Sequence, residues 1–306
     1  MKIIDAHSHV GNFGSWARFD FDLPRLKDQM SKFDIEKTLL TGEGPRGNDA
    51  VLDAFQKEPD LIVPVAWVDP KSPDVLSDIR RFVEKEGFRA IKLHPLFDAY
   101  CADDTFVDPV IELAGELGVP VFIHSGHPPY SLPWQIGWLA ERHPSVPMVT
   151  LHMGHAHGVY VDAALKVARR YRNIYLDTSG TTMSVKIREA YDTVGHDRVL
   201  FGIDSPFHEP SVEIEKNRAT YLPESDLRNI FHDNAARLMS RIPASSFTLS
   251  EKSCGGRGRT ARATGEGRSS PPAAEAPTPP AAAPPRRQKP SARTSGSSTP
   301  TGADRS

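Results

Sequence analysis

The sequence predicts a (β/α)8 barrel over residues 1–243, followed by a disordered tail over 244–306. Three observations carry this. Eight short apolar runs rich in β-branched residues recur over the first two thirds of the chain, and amphipathic stretches with helical periodicity lie between them. Parallel strands need such crossovers, so eight strand–helix units suit a closed parallel barrel, typically about 250 residues long. Beyond Ile242-Pro243 both patterns stop.

In chain order the strand runs are Ile3–Ala6, Thr38–Thr41, Ile62–Val68, Ala90–Leu93, Val119–His124, Val146–His152, Ile174–Asp177 and Val199–Ile203. Helical stretches Val75–Lys85, Val110–Leu117, Val159–Tyr171 and Val185–Val194 follow the third, fourth, sixth and seventh runs, and Asp226–Met239 closes the ring. One motif points to a doubly wound open sheet instead. Gly42-Glu43-Gly44-Pro45-Arg46-Gly47 fits the G-x-G-x-x-G pattern of dinucleotide-binding turns. It follows the second run, however, carries Pro45 inside the turn, and meets its helix only at Asn48-Asp49, a capping pair. It reads as a glycine-rich loop at a strand end.

The 306 residues are 39% hydrophobic and 25% charged, with a formal net charge of −2 that describes neither part of the chain. Residues 244–306 hold ten Lys and Arg, four Asp and Glu and nine Pro, leaving 27 basic and 35 acidic residues before them. The acidic barrel argues against nucleic acid as the main partner. The tail's arginines lie among Pro, Ala, Gly and Ser without aromatics to stack bases. No apolar run is long enough to span a bilayer, and Met1-Lys2-Ile3-Ile4-Asp5 enters a strand with no cleavable leader, so the expected compartment is the cytoplasm. Cys101 and Cys254 are too few for a disulfide scaffold or a cysteine-ligated metal. The segment Pro271–Pro290 cannot bury enough apolar surface to offset the entropy of ordering it. Its bias also matches GC-rich DNA translated past a natural stop.

Nine of the twelve histidines fall at or just past predicted strand ends: His7, His9, His94, His124, His127, His152, His155, His157 and His208. In a barrel those ends meet at one face, so side chains remote in sequence converge there. Alternation along the first strand puts Asp5, His7 and His9 on one side. His7-Ser8-His9 suits chelation of one ion from a single strand. His124 ends the fifth run, His152 the sixth, and Asp204 follows the eighth. Three imidazoles and a carboxylate can hold zinc or a similar divalent ion with a position left for water. His143, His196 and His232 fall in helices or turns and are expected to be solvated.

As an ordered set, Ile4-Asp5-Ala6-His7-Ser8-His9, Val65-Ala66-Trp67-Val68-Asp69-Pro70, Gly87-Phe88-Arg89-Ala90-Ile91-Lys92-Leu93-His94-Pro95, the His124 and His152 strand ends, Gly202-Ile203-Asp204-Ser205-Pro206 and Asn234-Ala235-Ala236-Arg237-Leu238 resemble the amidohydrolase superfamily. The resemblance is to its amidohydrolase-related group of metal-dependent hydrolases and non-oxidative decarboxylases, and covers residues 1 to about 243. It implies that His7, His9, His124 and Asp204 ligate the metal and that His152 contacts the bound water or the substrate oxygen. Asp204 would take a proton from the attacking water and return it to the leaving group. In two-metal members a carboxylated lysine at the fourth strand bridges the ions, so Lys92 carries a carbamate, pairs with a carboxylate or meets an anionic substrate. Its Lys-Leu-His-Pro setting is closer to one-metal relatives, which implies one zinc or manganese. Oligomers are common among such relatives.

His94 shares the face of Lys92 and serves either the pocket or the turn at Pro95. His127, directly after a ligand strand, is a candidate substrate contact, and Arg46 is either a clamp for a substrate carboxylate or a surface charge. These readings predict a metal-dependent hydrolase of a small amide, lactone or ester. The same ligand set also serves a decarboxylase of a small carboxylic acid, and a non-catalytic scaffold working through the Pro-rich tail is the reading from a different class.

Overall fold

A computed structural model describes residues 1–14, 17–155 and 158–243. The tail readings, Cys254 and His157 lie outside the described residues. Every predicted strand run forms a strand, Ala90–Leu93 and Ile174–Asp177 with the same ends and the other six with shifted ones. β1 (Ile3–His9), β2 (Ile35–Thr41), β3 (Ile62–Trp67), β4 (Ala90–Leu93), β5 (Val121–His124), β6 (Met148–Leu151), β7 (Ile174–Asp177) and β8 (Val199–Leu200) lie side by side in that order, all parallel. The predicted eighth run is longer than β8 because its remainder pairs with β1 one bond at a time. Ala6 N–H donates to Phe201 O (2.8 Å), Asp204 N–H to His7 O (2.6 Å) and His9 N–H to Ser205 O (2.7 Å). These bonds close the barrel where Asp204 meets His7.

The helices are α1 (Leu23–Lys32), α2 (Asn48–Lys57), α3 (Val75–Arg80), α4 (Asp108–Leu117), α5 (Pro133–Arg142), α6 (Gly158–Arg170), α7 (Ser184–Val194), α8 (Pro210–Arg218), α9 (Glu224–Arg228) and α10 (Asn234–Ser240). The predicted helices Val75–Lys85 and Asp226–Met239 are each interrupted: π turns cover Arg81–Lys85 and Asn229–Asp233. None of the described helices is long and apolar enough to cross a membrane. Period-two alternation splits the core into two layers. Ile4, Leu39, Val65, Phe122 and Val149 pack inside the barrel, while Leu40, Ile91, Ile123 and Ile174 pack outward under the helices.

β1 breaks the alternation, which corrects the expectation for Asp5. Between Asp5 and Ser8 it carries one residue more than β2 opposite, where Asp5 pairs with Thr38 and Ser8 with Leu40. A bulge of this kind shifts which side chains face inward. Ile4 and Ala6 therefore pack in the barrel interior, and beyond the bulge His7 and His9 face the cavity above it. Asp5 is left off that face, and its carboxylate accepts bonds from Ser8 Oγ (2.5 Å), Thr38 Oγ1 (2.7 Å), Ile203 N–H (2.9 Å) and His7 N–H (3.1 Å). It joins β1 to β2 and to the segment after β8.

Asn48 is not a cap. A 3-10 turn over Pro45–Gly47 runs straight into α2, and the buried Asn48 amide reaches across to β3. It accepts from Trp67 N–H (3.0 Å) and donates to Trp67 O (2.8 Å), completing the end of a strand that carries a cavity wall. The three histidines expected to be solvated have partners: His143 pairs with Asp108 (2.7 Å), His232 with Glu36 and Asp233 (2.9 and 2.6 Å), and His196 stacks on Tyr191. Asn48→Ala strands two buried backbone groups, so we expect a loss of about 2–4 kcal/mol in a denaturant titration. A loss below about 0.5 kcal/mol, the usual scale of surface changes, would show that the bracket is redundant.

Candidate active site

The strand ends surround a cavity of about 270 Å³. Its floor is formed by His7, His9, His124, His152 and Asp204, and its sides by Phe13, Trp67, Phe97 and Phe207. His94, His127, His155 and His208 also line it. Two of the candidate substrate-binding or bridging residues do not line it. Arg46 is exposed and borders a neighbouring depression with Asn12, Glu43 and Asp98. Lys92 is buried just below the floor, with Nζ 3.3 Å from His7 Nε2.

Asp204 is the centre of the floor. Its Oδ1 lies 3.1 Å from His7 Nε2 and 3.3 Å from His9 Nε2. Donor atoms of His7, His152 and Asp204 all lie within 4.8 Å of one another. His124 is one ring further back: its Nδ1 is 3.1 Å from His152 Nε2, and its Nε2 is 2.9 Å from His127 Nδ1. His152 Nδ1 in turn reaches Ser179 O (3.2 Å) and Oγ (3.0 Å). Both His152 (φ 63°) and Asp204 (φ 65°) occupy the left-handed backbone region, which side-chain-bearing residues adopt at a cost where a site demands it. Asp177 holds the backbone of this corner through His152 N–H (3.2 Å) and Ser179 N–H (3.2 Å). Gly202 makes room for it, since a Cβ there would lie 1.9 Å from Asp177 Oδ2.

Burial sets the charges. It holds His94, His124 and His152 well below the ordinary imidazole range and lowers His127. His7 is pushed down to about 3, by burial and then by the nearby Lys92. Burial also lowers Lys92 to about 7 against the pull of Asp204, Asp177 and Asp98. No carboxylate among the described residues comes within 4.0 Å of Lys92 Nζ, so the paired-lysine alternative has no partner there. Burial alone would raise Asp204, yet the surrounding histidines hold it well below the usual carboxylate range. His208 is raised, chiefly by its bond to Glu213.

The donor set fits a divalent cation. Gly42 O can only accept, so His9 Nδ1 (2.8 Å away) carries the proton and its Nε2 faces Asp204 Oδ1. Unless that nitrogen is also protonated, two electron-rich atoms oppose each other at 3.3 Å, and a cation between them removes the conflict. Neutral imidazoles with one carboxylate are the ligands that zinc and manganese accept.

His94 fills both roles considered for it. It stacks on Trp67 and on His124 (ring centroids 4.9 and 3.9 Å), and its Nδ1 accepts Phe97 N–H (3.3 Å) in the turn after β4. Sequence reasoning missed the aromatic walls. Trp67 was visible only as part of a strand, and its plane is fixed by Asp98, which accepts Nε1–H at 2.9 Å.

An amidohydrolase family model matches residues 4–240. An L-fucono-1,5-lactonase of Burkholderia ambifaria is 24% identical over 240 residues, covering 66% of this chain and 80% of the lactonase. A gamma-resorcylate decarboxylase of a Rhizobium species is 24% identical over 247 residues, covering 63% of this chain and 74% of the decarboxylase. Among solved structures, a 5-carboxyvanillate decarboxylase of Novosphingobium aromaticivorans complexed with manganese superposes with a TM-score of 0.63. It is 17% identical, and the match covers 78% of this chain and 96% of that one. With the barrel, its strand-end histidines and this match over most of its length, the chain belongs to the amidohydrolase family.

Proposed function

We propose that the chain is a divalent-metal-dependent hydrolase of a small, uncharged carbonyl compound: a lactone, ester or amide. The observation that carries this is the cavity lining. Among the described residues it presents imidazoles and Asp204 below aromatic walls, with the carboxylate of Glu43 at the rim and no Lys or Arg side chain. A neutral carbonyl compound fits that lining, whereas a substrate carboxylate would lose hydration with no Lys or Arg to replace it. Arg46, the sequence candidate for such a clamp, borders the next depression.

In this reading His7, His9, His124 and Asp204 hold the ion, zinc or manganese. When bound, such an ion acidifies water towards neutral pH and polarises a carbonyl oxygen. Asp204 Oδ2 accepts the proton released as water attacks and passes it to the leaving oxygen or nitrogen. His152 is neutral and fixed by Ser179, whose carbonyl accepts its Nδ1–H, so its Nε2 offers a lone pair to the attacking water. His94 and the Trp67 ring form a flat wall, and His127 lies beside His124 where a leaving group departs. Lys92 beside His7 is an amine that burial keeps ready to lose its proton, the form needed for carbamate formation if a second ion binds.

Non-oxidative decarboxylation is the second reading, supported by the similarity to two decarboxylases. It uses the same ligands, and release of carbon dioxide from an aromatic carboxylate in place of lactone or ester hydrolysis would establish it.

Elemental analysis of protein purified without chelators should find about one zinc or manganese per chain, as a site with a single carboxylate suggests. Two ions per chain would instead assign the Lys92 carbamate. Replacing His7 and His9 together by Ala should remove the metal, and full stoichiometry in that variant would place the ion elsewhere. Asp204→Asn should lower kcat by roughly 100- to 10,000-fold in metal-loaded protein, the usual worth of a proton-transfer group. Near-normal turnover would remove Asp204 from the proton path.

A further inference from the structure

The cavity contains one more anchored polar group, held by a helix residue and not by a strand. His208 follows Asp204 in the loop that leads to α8, and its Nδ1 lies 3.0 Å from Glu213 Oε1. Glu213 sits in the first turn of α8, is 3% exposed, and is paired with Lys216 one turn along. On its other side the ring fits against Gly180, where a Cβ would come 2.9 Å from His208 Cε1 and 3.4 Å from His152 Nδ1. Gly180 is in the left-handed region (φ 65°), so the slot is built into the backbone. The ring is thus clamped on two sides, and its Nε2 points into the cavity 3.9 Å from Asp204 Oδ2.

A buried carboxylate on a helix is a costly device for an idle loop histidine, because Glu213 gives up water to hold it. The clamp fixes which nitrogen is spent. Glu213 takes the Nδ1 proton and leaves Nε2 for whatever occupies the cavity.

We propose that His208 reads a hydroxyl group on the substrate, next to the carbonyl presented to Asp204, and that Glu213 is its positioning residue. A hydroxyl meets Nε2 in either protonation state, because O–H both donates and accepts. The preferred substrates are therefore hydroxylated lactones, esters or amides over their deoxy counterparts. This deepens the hydrolase reading and rests on it for the carbonyl.

Binding of lactams tests it without turnover. Calorimetry on the metal-loaded full chain compares piperidin-2-one with 3-hydroxypiperidin-2-one. The wild type should bind the hydroxylated lactam at least about fivefold tighter, the scale of one hydrogen bond between uncharged groups. His208→Phe, which keeps the ring in its slot without a polar atom, should erase the difference. Glu213→Ala should erase it too, while Glu213→Gln, which still accepts from Nδ1, should keep most of it. Rescue by the glutamine separates positioning from a general loss of α8 packing, which thermal unfolding of each variant reports. An affinity ratio that is the same in wild type and His208→Phe overturns the proposal, and so does failure of the wild type to bind either lactam. Failure to hydrolyse any lactone, with the binding preference intact, would overturn the hydrolase reading alone.

Discussion

A single buried carboxylate is the constraint around which this protein is organised. Asp204 is nearly excluded from water, and an isolated charge in such a place is expensive unless partners surround it. Among the partners are His7 and His152, imidazoles that burial keeps neutral, so each offers a nitrogen lone pair or one N–H and no full charge. A site of that composition has one negative charge at its centre. A divalent ion there leaves one net positive charge facing the substrate, which favours oxygen anions that form during reaction over those already present. The backbone accepts strain to maintain this arrangement. His152 and Asp204 both sit in left-handed conformations, and the barrel is closed by the Asp204 N–H bond to His7 O.

The larger features were legible in the chain, since they depend on local pattern. The eight runs follow from β-branched periodicity, and the convergence of His7, His9, His124, His152 and Asp204 follows from their strand-end positions in a parallel barrel. What the pattern could not show are details that depend on distant partners. Strict alternation misplaces Asp5 because one extra residue in β1 changes which side chains face inward, and nothing local marks the bulge. Asn48 looks like a cap by sequence, yet a buried amide that can satisfy both backbone groups of Trp67 is worth more there than a cap bond. The order of the rings is likewise tertiary. Sequence places His124 and His152 at equivalent strand ends, but the left-handed turn at His152 puts its ring nearer to Asp204 and leaves His124 between His152 and His127.

The walls and floor of the cavity come from different parts of the fold. Floor residues sit on or just past strands, where pairing on both sides restricts them. Trp67 also sits at a strand end, but its plane depends on Asp98 in the following loop, and Phe13, Phe97 and Phe207 come from loops outright. Loops tolerate change that strands do not. Similarity of one chain to both a lactonase and a decarboxylase is then unsurprising, because the reaction is selected by what surrounds the reacting group and not by the barrel.

The charge of that surrounding is what favours the proposed hydrolysis over decarboxylation. Decarboxylation begins from an anion that must be drawn out of water into the cavity, where no Lys or Arg helps the ion overcome both desolvation and the carboxylate of Glu43 at the rim. Hydrolysis begins from a neutral molecule and develops its negative charge only at the carbonyl, next to the ion. The interactions that this cavity offers therefore strengthen as the reaction proceeds, which is the condition for binding energy to become rate. With a neutral body held between aromatic walls, discrimination among substrates falls to the few fixed polar groups at the sides. Of these, the His208 ring is held from both flanks by Glu213 and Gly180, so a hydroxyl meeting it gains a hydrogen bond without the cost of ordering a free side chain.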